Sequence, residues 1–385
     1  MRTVHPSRRG FSLLLRRVVG FALIAAVSGS LVMCAAPVPH SLPAHQADLV
    51  ARISARMPSS THHRNAWAEA VISALTAQRI DTTADNVCAV LAVIAVASNY
   101  QTDPRVNAPE KGVRLELGRQ AHAHHIPAVT LARAMHVTSP DGRSYSNRIA
   151  DIRTQSDLYW FFDDIIRQLS TDKQSRRLHN PVTTAGAMQV PIPFAVAHHA
   201  LLSHPADGFP SPLFTLRPGI AWGVAYLFDH PNDQRNIMER LADYFVAPYA
   251  SRNAALQAAL AGITGERIVL DGNLSARSPT AQLITRYRDR LGLAEETIAV
   301  GLSHAHDDQF EQTQLYQQLK ALPQRSPSTT MRLSIVPDTS VRRLPNFEKV
   351  SNRQLVNGME MAWHTCVAAL KISPEAPPQG GGASQ

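Results

Sequence analysis

The stretch Ala84-Asp85-Asn86-Val87-Cys88-Ala89-Val90-Leu91-Ala92-Val93-Ile94-Ala95-Val96-Ala97-Ser98 constrains the fold more than any other. Past its first turn it is apolar on nearly every face. As a helix it therefore has no side suited to water and has to be enclosed by other elements. Thr83 is placed to cap it, and Asn99-Tyr100-Gln101-Thr102-Asp103-Pro104 ends it with a proline stop.

The enclosing elements also read as helices. Apolar residues recur at helical spacing over Asn65–Gln78. Further helices are expected at Val113–His125, Val129–Met135, Ser156–Leu169 with Ser156 as N-cap, Phe194–Ser203, Ile220–Phe228, Arg235–Tyr244 and Arg252–Ala261. After the turn signal Asp271-Gly272-Asn273 come Thr280–Leu291, Ala294–Ser303, Phe310–Leu322 and a final helix near Gln354–Leu370. No internal repeat and no strand-rich section interrupts them. The fold class is mainly α.

Total charge taken alone points toward nucleic acid, because 38 Lys+Arg stand against 30 Asp+Glu for a net +8 in 385 residues. Five of those positives, Arg2, Arg8, Arg9, Arg16 and Arg17, sit in residues 1–33, which hold no acid. The rest has 33 basic against 30 acidic residues and no basic stripe with interleaved aromatics, so no nucleic-acid partner is expected. The arginines precede the apolar run Val18–Met33, too short for a comfortable membrane span and right for the core of an export signal. Residues 1–33 are thus read as a signal peptide. Ser7-Arg8-Arg9-Gly10-Phe11 resembles a twin-arginine motif, and a general secretory route stays equally open.

Leu31-Val32-Met33-Cys34 resembles a bacterial lipobox, with Met33 where a small residue normally precedes the lipidated cysteine. Cys34 is then the lipid anchor. Ala35, rather than an aspartate, directs the protein to the periplasmic face of the outer membrane. Cleavage at Cys34-Ala35-Ala36 would instead leave a soluble periplasmic protein. Residues 34–55, with Pro37, Pro39 and Pro43, read as a tether, and 373–385 as a disordered low-complexity tail. Two cysteines remain, Cys88 and Cys366. In an exported chain they suggest one disulfide across a long loop, worth roughly 4–5 kcal/mol; two buried free thiols are the plainer alternative.

The buried helix with its Tyr/Asp-Pro loop is followed by Ala185-Gly186-Ala187-Met188-Gln189-Val190, then Gly223-Val224-Ala225-Tyr226-Leu227, then Leu241-Ala242-Asp243-Tyr244. This order distantly resembles the lysozyme-like core of soluble lytic transglycosylases. The resemblance implies a lysozyme-like helical domain over 56–265, an additional helical C-terminal region over 266–372, and a sugar cleft at Ser98, Tyr100, Met188, Gln189, Tyr226 and Tyr244.

A closer resemblance spans nearly the whole mature chain. Val87–Val93, Ser139-Pro140-Asp141-Gly142-Arg143-Ser144-Tyr145, Asn180-Pro181-Val182 with Thr184-Ala185-Gly186, Met188-Gln189-Val190, Tyr249-Ala250-Ser251-Arg252-Asn253-Ala254-Ala255, Leu270-Asp271-Gly272 and Cys366 resemble the proteobacterial lipoprotein family called domain of unknown function 1615. In that family the buried helix runs into Glu-Gln-Glu-Ser. Here Ala95-Val96-Ala97-Ser98 stands there, so Ala97 occupies the position matching the transglycosylase general acid. The family's Phe-Asn-Ala-Gly corresponds to Tyr244-Phe245-Val246-Ala247, so Phe245 replaces an asparagine.

Glycosidic cleavage needs a proton on the leaving oxygen, usually from a carboxyl whose pKa an apolar pocket has raised. Ala97 has none to give. Asp103 is the nearest substitute acid in sequence, although an Asp before Pro is usually a turn former. Glu69, Glu110 and Glu116 read as solvated surface charges. Histidines gather at His122, His124 and His125, at His198 and His199, and at His304-Ala305-His306-Asp307-Asp308. With 17 in the chain such clusters arise by chance, and neither HExxH nor a GxSxG elbow exists, so no metal, cofactor or serine nucleophile is expected. Tyr145, Trp222, Tyr226 and Tyr244 read first as core.

Two functions fit. One is a non-catalytic module whose degenerate cleft binds peptidoglycan glycan strands or an envelope protein. The other is an active lytic transglycosylase or hydrolase using another acid such as Asp103.

Overall fold

The computed structural model describes residues 44–169, 178–198, 210–229, 237–322, 335–343 and 348–370. The signal peptide, Cys34 and the tail 373–385 lie outside the described residues. Three helices open the chain: α1 (Ala44–Ser54), α2 (Arg64–Ala77) and α3 (Ala84–Ser98). α1 begins inside the stretch read as a tether, and Val50 and Ile53 seal it against α2. α3 has the bounds its composition predicts. Thr83 Oγ1 accepts from Asn86 N at 3.3 Å, and the helix stops where Asn99 and Tyr100 turn to φ +51° and +59°. Asparagine tolerates that region; tyrosine adopts it only when its surroundings demand it.

Next come α4 (Pro109–Ala123), α5 (Ala128–His136), α6 (Tyr145–Ile149) and α7 (Gln155–Leu169), which build their own core around Val113, Tyr145, Phe161 and Phe162. Two sequence expectations fail in this layer. The N-cap of α7 is Thr154 rather than Ser156: Thr154 Oγ1 accepts from Asp157 N at 3.4 Å while Asp157 accepts from Thr154 N at 3.0 Å, a reciprocal capping box. Glu116 is buried, only 3% exposed, because it lies on the core face of α4, where Arg119 and Gln120 bind its carboxylate. Ser139-Pro140-Asp141-Gly142-Arg143 is a turn locked by the Asp141 carboxylate, which Ser139 and Arg143 hold well below the usual carboxylate range.

A short antiparallel hairpin follows, β1 (Thr184–Ala185) and β2 (Val190–Pro191), with Thr184 opposite Pro191 and Ala185 opposite Val190. After it come α8 (Ile192–Ala197), α9 (Leu216–Leu227) and α10 (Ile237–Asp243). A third core is formed by α11 (Ala250–Thr264), α12 (Pro279–Arg286), α13 (Arg288–Leu291), α14 (Glu295–Ser303) and α15 (Gln314–Ala321). The Tyr249–Ala255 motif holds this layer together. Arg252 is sandwiched between the rings of Tyr249 and Phe310, at 4.3 and 4.8 Å, and donates to the carbonyls of Ala305 and Asp307 at 2.9 Å each. Asp243 caps α11 by accepting from Tyr249 N and Ser251 N.

Strands β3 (Ser340–Arg343) and β4 (Glu348–Ser351) pair antiparallel and lead into α16 (Asn352–Leu370). α16 returns to the first core, along α3. Cys88 and Cys366 form a disulfide there, with Cα atoms 5.6 Å apart, and Gly358 lets α16 approach Val96. Arg52 of α1 donates to the Leu370 carbonyl at its end. α2, α9, α10 and α16 thereby cover α3, and every residue from Val87 to Ile94 is buried. The described residues are mainly helical, and no helix among them is long and apolar enough to cross a membrane.

Candidate functional site

The last turn of α3 delivers Ala97, 5% exposed, to a cavity of about 280 Å³. Phe245, from the loop after α10, lines the same cavity, with Tyr244 beside it and Tyr226 from α9. The hairpin supplies Gln189 and Thr184, and Thr183 and Pro193 open the cavity to solvent. None of the described residues that line it is an acid.

Its geometry rests on close backbone approaches. Gly186 sits at φ +78°, and a Cβ there would lie 1.9 Å from the Leu213 carbonyl oxygen. Gly223 of α9 leaves room for Met188, whose Sδ would be 2.1 Å from an added Cβ. Only glycine fits either position. Met188 is therefore fully buried and supports the cavity from beneath, while its carbonyl accepts the Tyr244 hydroxyl at 2.9 Å.

Gln189 is held rather than offered. Its amide exchanges hydrogen bonds with Gln155 at 2.8 and 3.0 Å, donates to the Gly186 carbonyl at 2.8 Å and accepts from Thr184 Oγ1 at 2.9 Å. Gln155, on the distant α7, is a positioning residue that sequence reasoning missed, since nothing local marks it. Tyr226, Tyr244 and Phe245 form one wall, with successive ring centroids 5.2 and 5.1 Å apart, and Phe194 backs Tyr226 at 4.9 Å. Burial and the nearby Asp243 carboxylate push the Tyr226 phenol up to about 12; burial first, and then the neighbouring Tyr226, raise Tyr244 well above the ordinary phenol range.

Other sequence candidates lie elsewhere. Ser98 donates to the Ile94 carbonyl and accepts from Gln101 N, ending α3. Tyr100 stacks edge-on against Trp67 at 5.7 Å, and burial raises its pKa. Asp103 does not line the cavity: its carboxylate accepts from Ser156 N at 3.0 Å and Ser156 Oγ at 2.6 Å, tying the loop to the start of α7. Glu69 pairs with Arg217 at 3.0 Å. His304 bonds Asp307 at 2.9 Å, and no group of three or more potential metal ligands occurs among the described residues.

The described lining offers ring faces, hydroxyls and an amide, which can stack against and hydrogen-bond a polar ring, and it holds no carboxyl. It defines a mainly helical protein with an aromatic cleft at the end of a buried helix, lined by no acid among the described residues. The chain belongs to the family described as "Protein of unknown function (DUF1615)", which matches residues 60–368. It is 33% identical over 296 residues to a protein of Escherichia coli (strain K12) described as "Uncharacterized protein YaiW", covering 75% of this chain and 81% of that protein. No solved structure matches it.

Proposed function

We propose that this protein is an exported cell-envelope lipoprotein, anchored through Cys34 at the periplasmic face of the outer membrane, whose degenerate lysozyme-like cleft binds peptidoglycan glycan strands without cleaving them. The observation that carries the reading is the shared cavity of Ala97 and Phe245, walled by tyrosines and by no described acid.

Loss of a general acid costs about 10²–10⁴ in rate. The tyrosines do not replace it. A phenol at about 12 is roughly a millionfold weaker acid than a carboxyl tuned to about 6. Aromatic faces and the Thr183 and Thr184 hydroxyls remain, and these suit binding of a sugar ring.

The test is co-sedimentation with purified sacculi beside a sacculus-digestion assay. The expected result is protein in the pellet and no soluble muropeptide. Protein left wholly in the supernatant overturns glycan binding; muropeptide release by the wild type overturns the non-catalytic assignment.

A further inference from the structure

A second cavity, about 810 Å³, lies at the opposite end of α3. The first turn of α3 supplies Asp85 and Asn86 to it, about 18 Å along the helix from Ala97 at 1.5 Å per residue. The two cavities share a partition. Pro193 and Tyr226 face the cleft, while their chain neighbours Phe194 and Ala225 face the second cavity. The Phe194 and Tyr226 rings meet at 4.9 Å within that wall.

The lining combines three kinds of group. Phe194, Phe228 and Trp363 form an aromatic floor, and Trp363 is fixed by its indole N–H donating to the Asp85 carbonyl at 3.1 Å. Asp81, Asp85 and Asp229 place carboxylates around it, and among the described residues none of them is in an ion pair. Arg79, at φ +57° and exposed, adds a guanidinium; the second arginine, Arg240, is engaged with the Leu227 carbonyl and the Phe228 ring. Locally the acids outnumber the bases in a chain that is net basic.

Such a lining suits an aliphatic chain bearing both an ammonium and a carboxylate. Its methylenes would lie on the aromatic floor, its ammonium between carboxylates and ring faces, and its carboxylate at Arg79. The volume falls in the range of small-molecule sites. Resting on the glycan-binding reading, we propose that this cavity takes the peptide branch of the same polymer, through an amino acid whose side chain carries a free ammonium and carboxylate. The cleft and the second cavity then hold sugar and peptide on either side of one wall.

The test titrates the full chain with two probes that share no chemistry. One is the sugar-free tripeptide L-Ala-γ-D-Glu-diaminopimelate, also in a form acetylated on its side-chain amine. The other is a peptide-free N-acetylhexosamine tetramer. Tryptophan fluorescence of the wild type and of Trp363→Phe assigns the signal. The expected result is tripeptide binding that weakens at least fivefold on acetylation and in Asp85→Asn/Asp229→Asn. Tetramer binding stays unchanged in that variant. Because both aspartates are solvent-accessible side chains outside the core, the variant keeps its fold, which circular dichroism checks. Absent tripeptide binding, or binding indifferent to acetylation and to the double substitution, overturns the inference even if the tetramer binds. Tripeptide binding without tetramer binding overturns the glycan reading and leaves the peptide site standing.

Discussion

Gln155 and Gln189 hold each other through reciprocal amide hydrogen bonds of 2.8 and 3.0 Å, joining α7 to the hairpin that borders the cleft. Gln155 also donates to the Thr184 carbonyl at 2.9 Å and accepts from Gly186 N at 3.3 Å. It is 1% exposed, so water cannot replace what it supplies. Gln155→Leu has nearly the same volume but removes the side-chain partner of the Thr184 carbonyl and of Gly186 N, and leaves the Gln189 amide only Gly186 and Thr184. Each buried unsatisfied group costs about 1–3 kcal/mol, so the expected loss is on the order of 3–5 kcal/mol in chemical denaturation. An unchanged midpoint would show that the hairpin is held by its glycines and core contacts instead.

Refilling the cleft tests the proposed loss of chemistry directly. Ala97→Glu places a carboxyl in the last turn of α3 against apolar neighbours, and Phe245→Asn places an amide across the cavity. Burial would raise the new carboxyl's pKa, the condition a general acid needs. The double variant is expected to release muropeptides from sacculi where the wild type releases none. Ala97→Glu alone is expected to lower the thermal midpoint, because it puts a large polar group at a position only 5% exposed. A stable double variant without product would mean that the cleft does not position a glycan for cleavage.

How much of this was legible in sequence depends on where the information lay. α3 was readable to its end residues because its composition leaves one physical option and its cap and stop are local. Glu116 was misread because its neighbours Arg119 and Gln120 look like a solvated helix face. Their role as partners for a buried carboxylate depends on α4 packing against a segment near His179. Gln155 had no local signal at all. The positions of Ala97 and Phe245 came from family resemblance, since periodicity says nothing about which distant segments share a cavity. The long motifs that carried the resemblance proved in part to be structural. Arg252 and Asn253 tie α11 to the Ala305 carbonyl, and Gln257 ties it to Asp271.

The Cys88–Cys366 disulfide fastens α16 to the second turn of α3 across a separation of 278 residues. Closing so long a loop restricts the unfolded chain and is worth on the order of 3–5 kcal/mol. Cys366→Ser with Cys88→Ser, or full reduction, is expected to lower stability by that order, read as a shift in denaturant midpoint. α16 also carries Trp363 into the second cavity, so the same variant should weaken signals reported by that indole more than those from the cleft. Equal stability with and without reductant would remove the disulfide from the account of stability.

Alkaline pH probes the aromatic wall. The Tyr226 phenol titrates at about 12 in the folded chain, against 10.0 when exposed, with burial as the main cause and the Asp243 carboxylate adding to it. A group whose pKa is raised by folding leaves stability intact below its unfolded value and erodes it above, because only the unfolded chain ionises there. Stability should therefore hold to about pH 10 and fall between pH 10 and 12. At two pH units the full linkage for this one phenol is about 2–3 kcal/mol. Tyr226→Phe keeps the ring contacts with Phe194 and Tyr244 and removes the ionisation. Its denaturation midpoint at pH 11.5 should fall less, relative to pH 8, than that of the wild type. Parallel losses in both proteins would mean that the phenol is hydrated in solution and that the wall of the cleft is open to water.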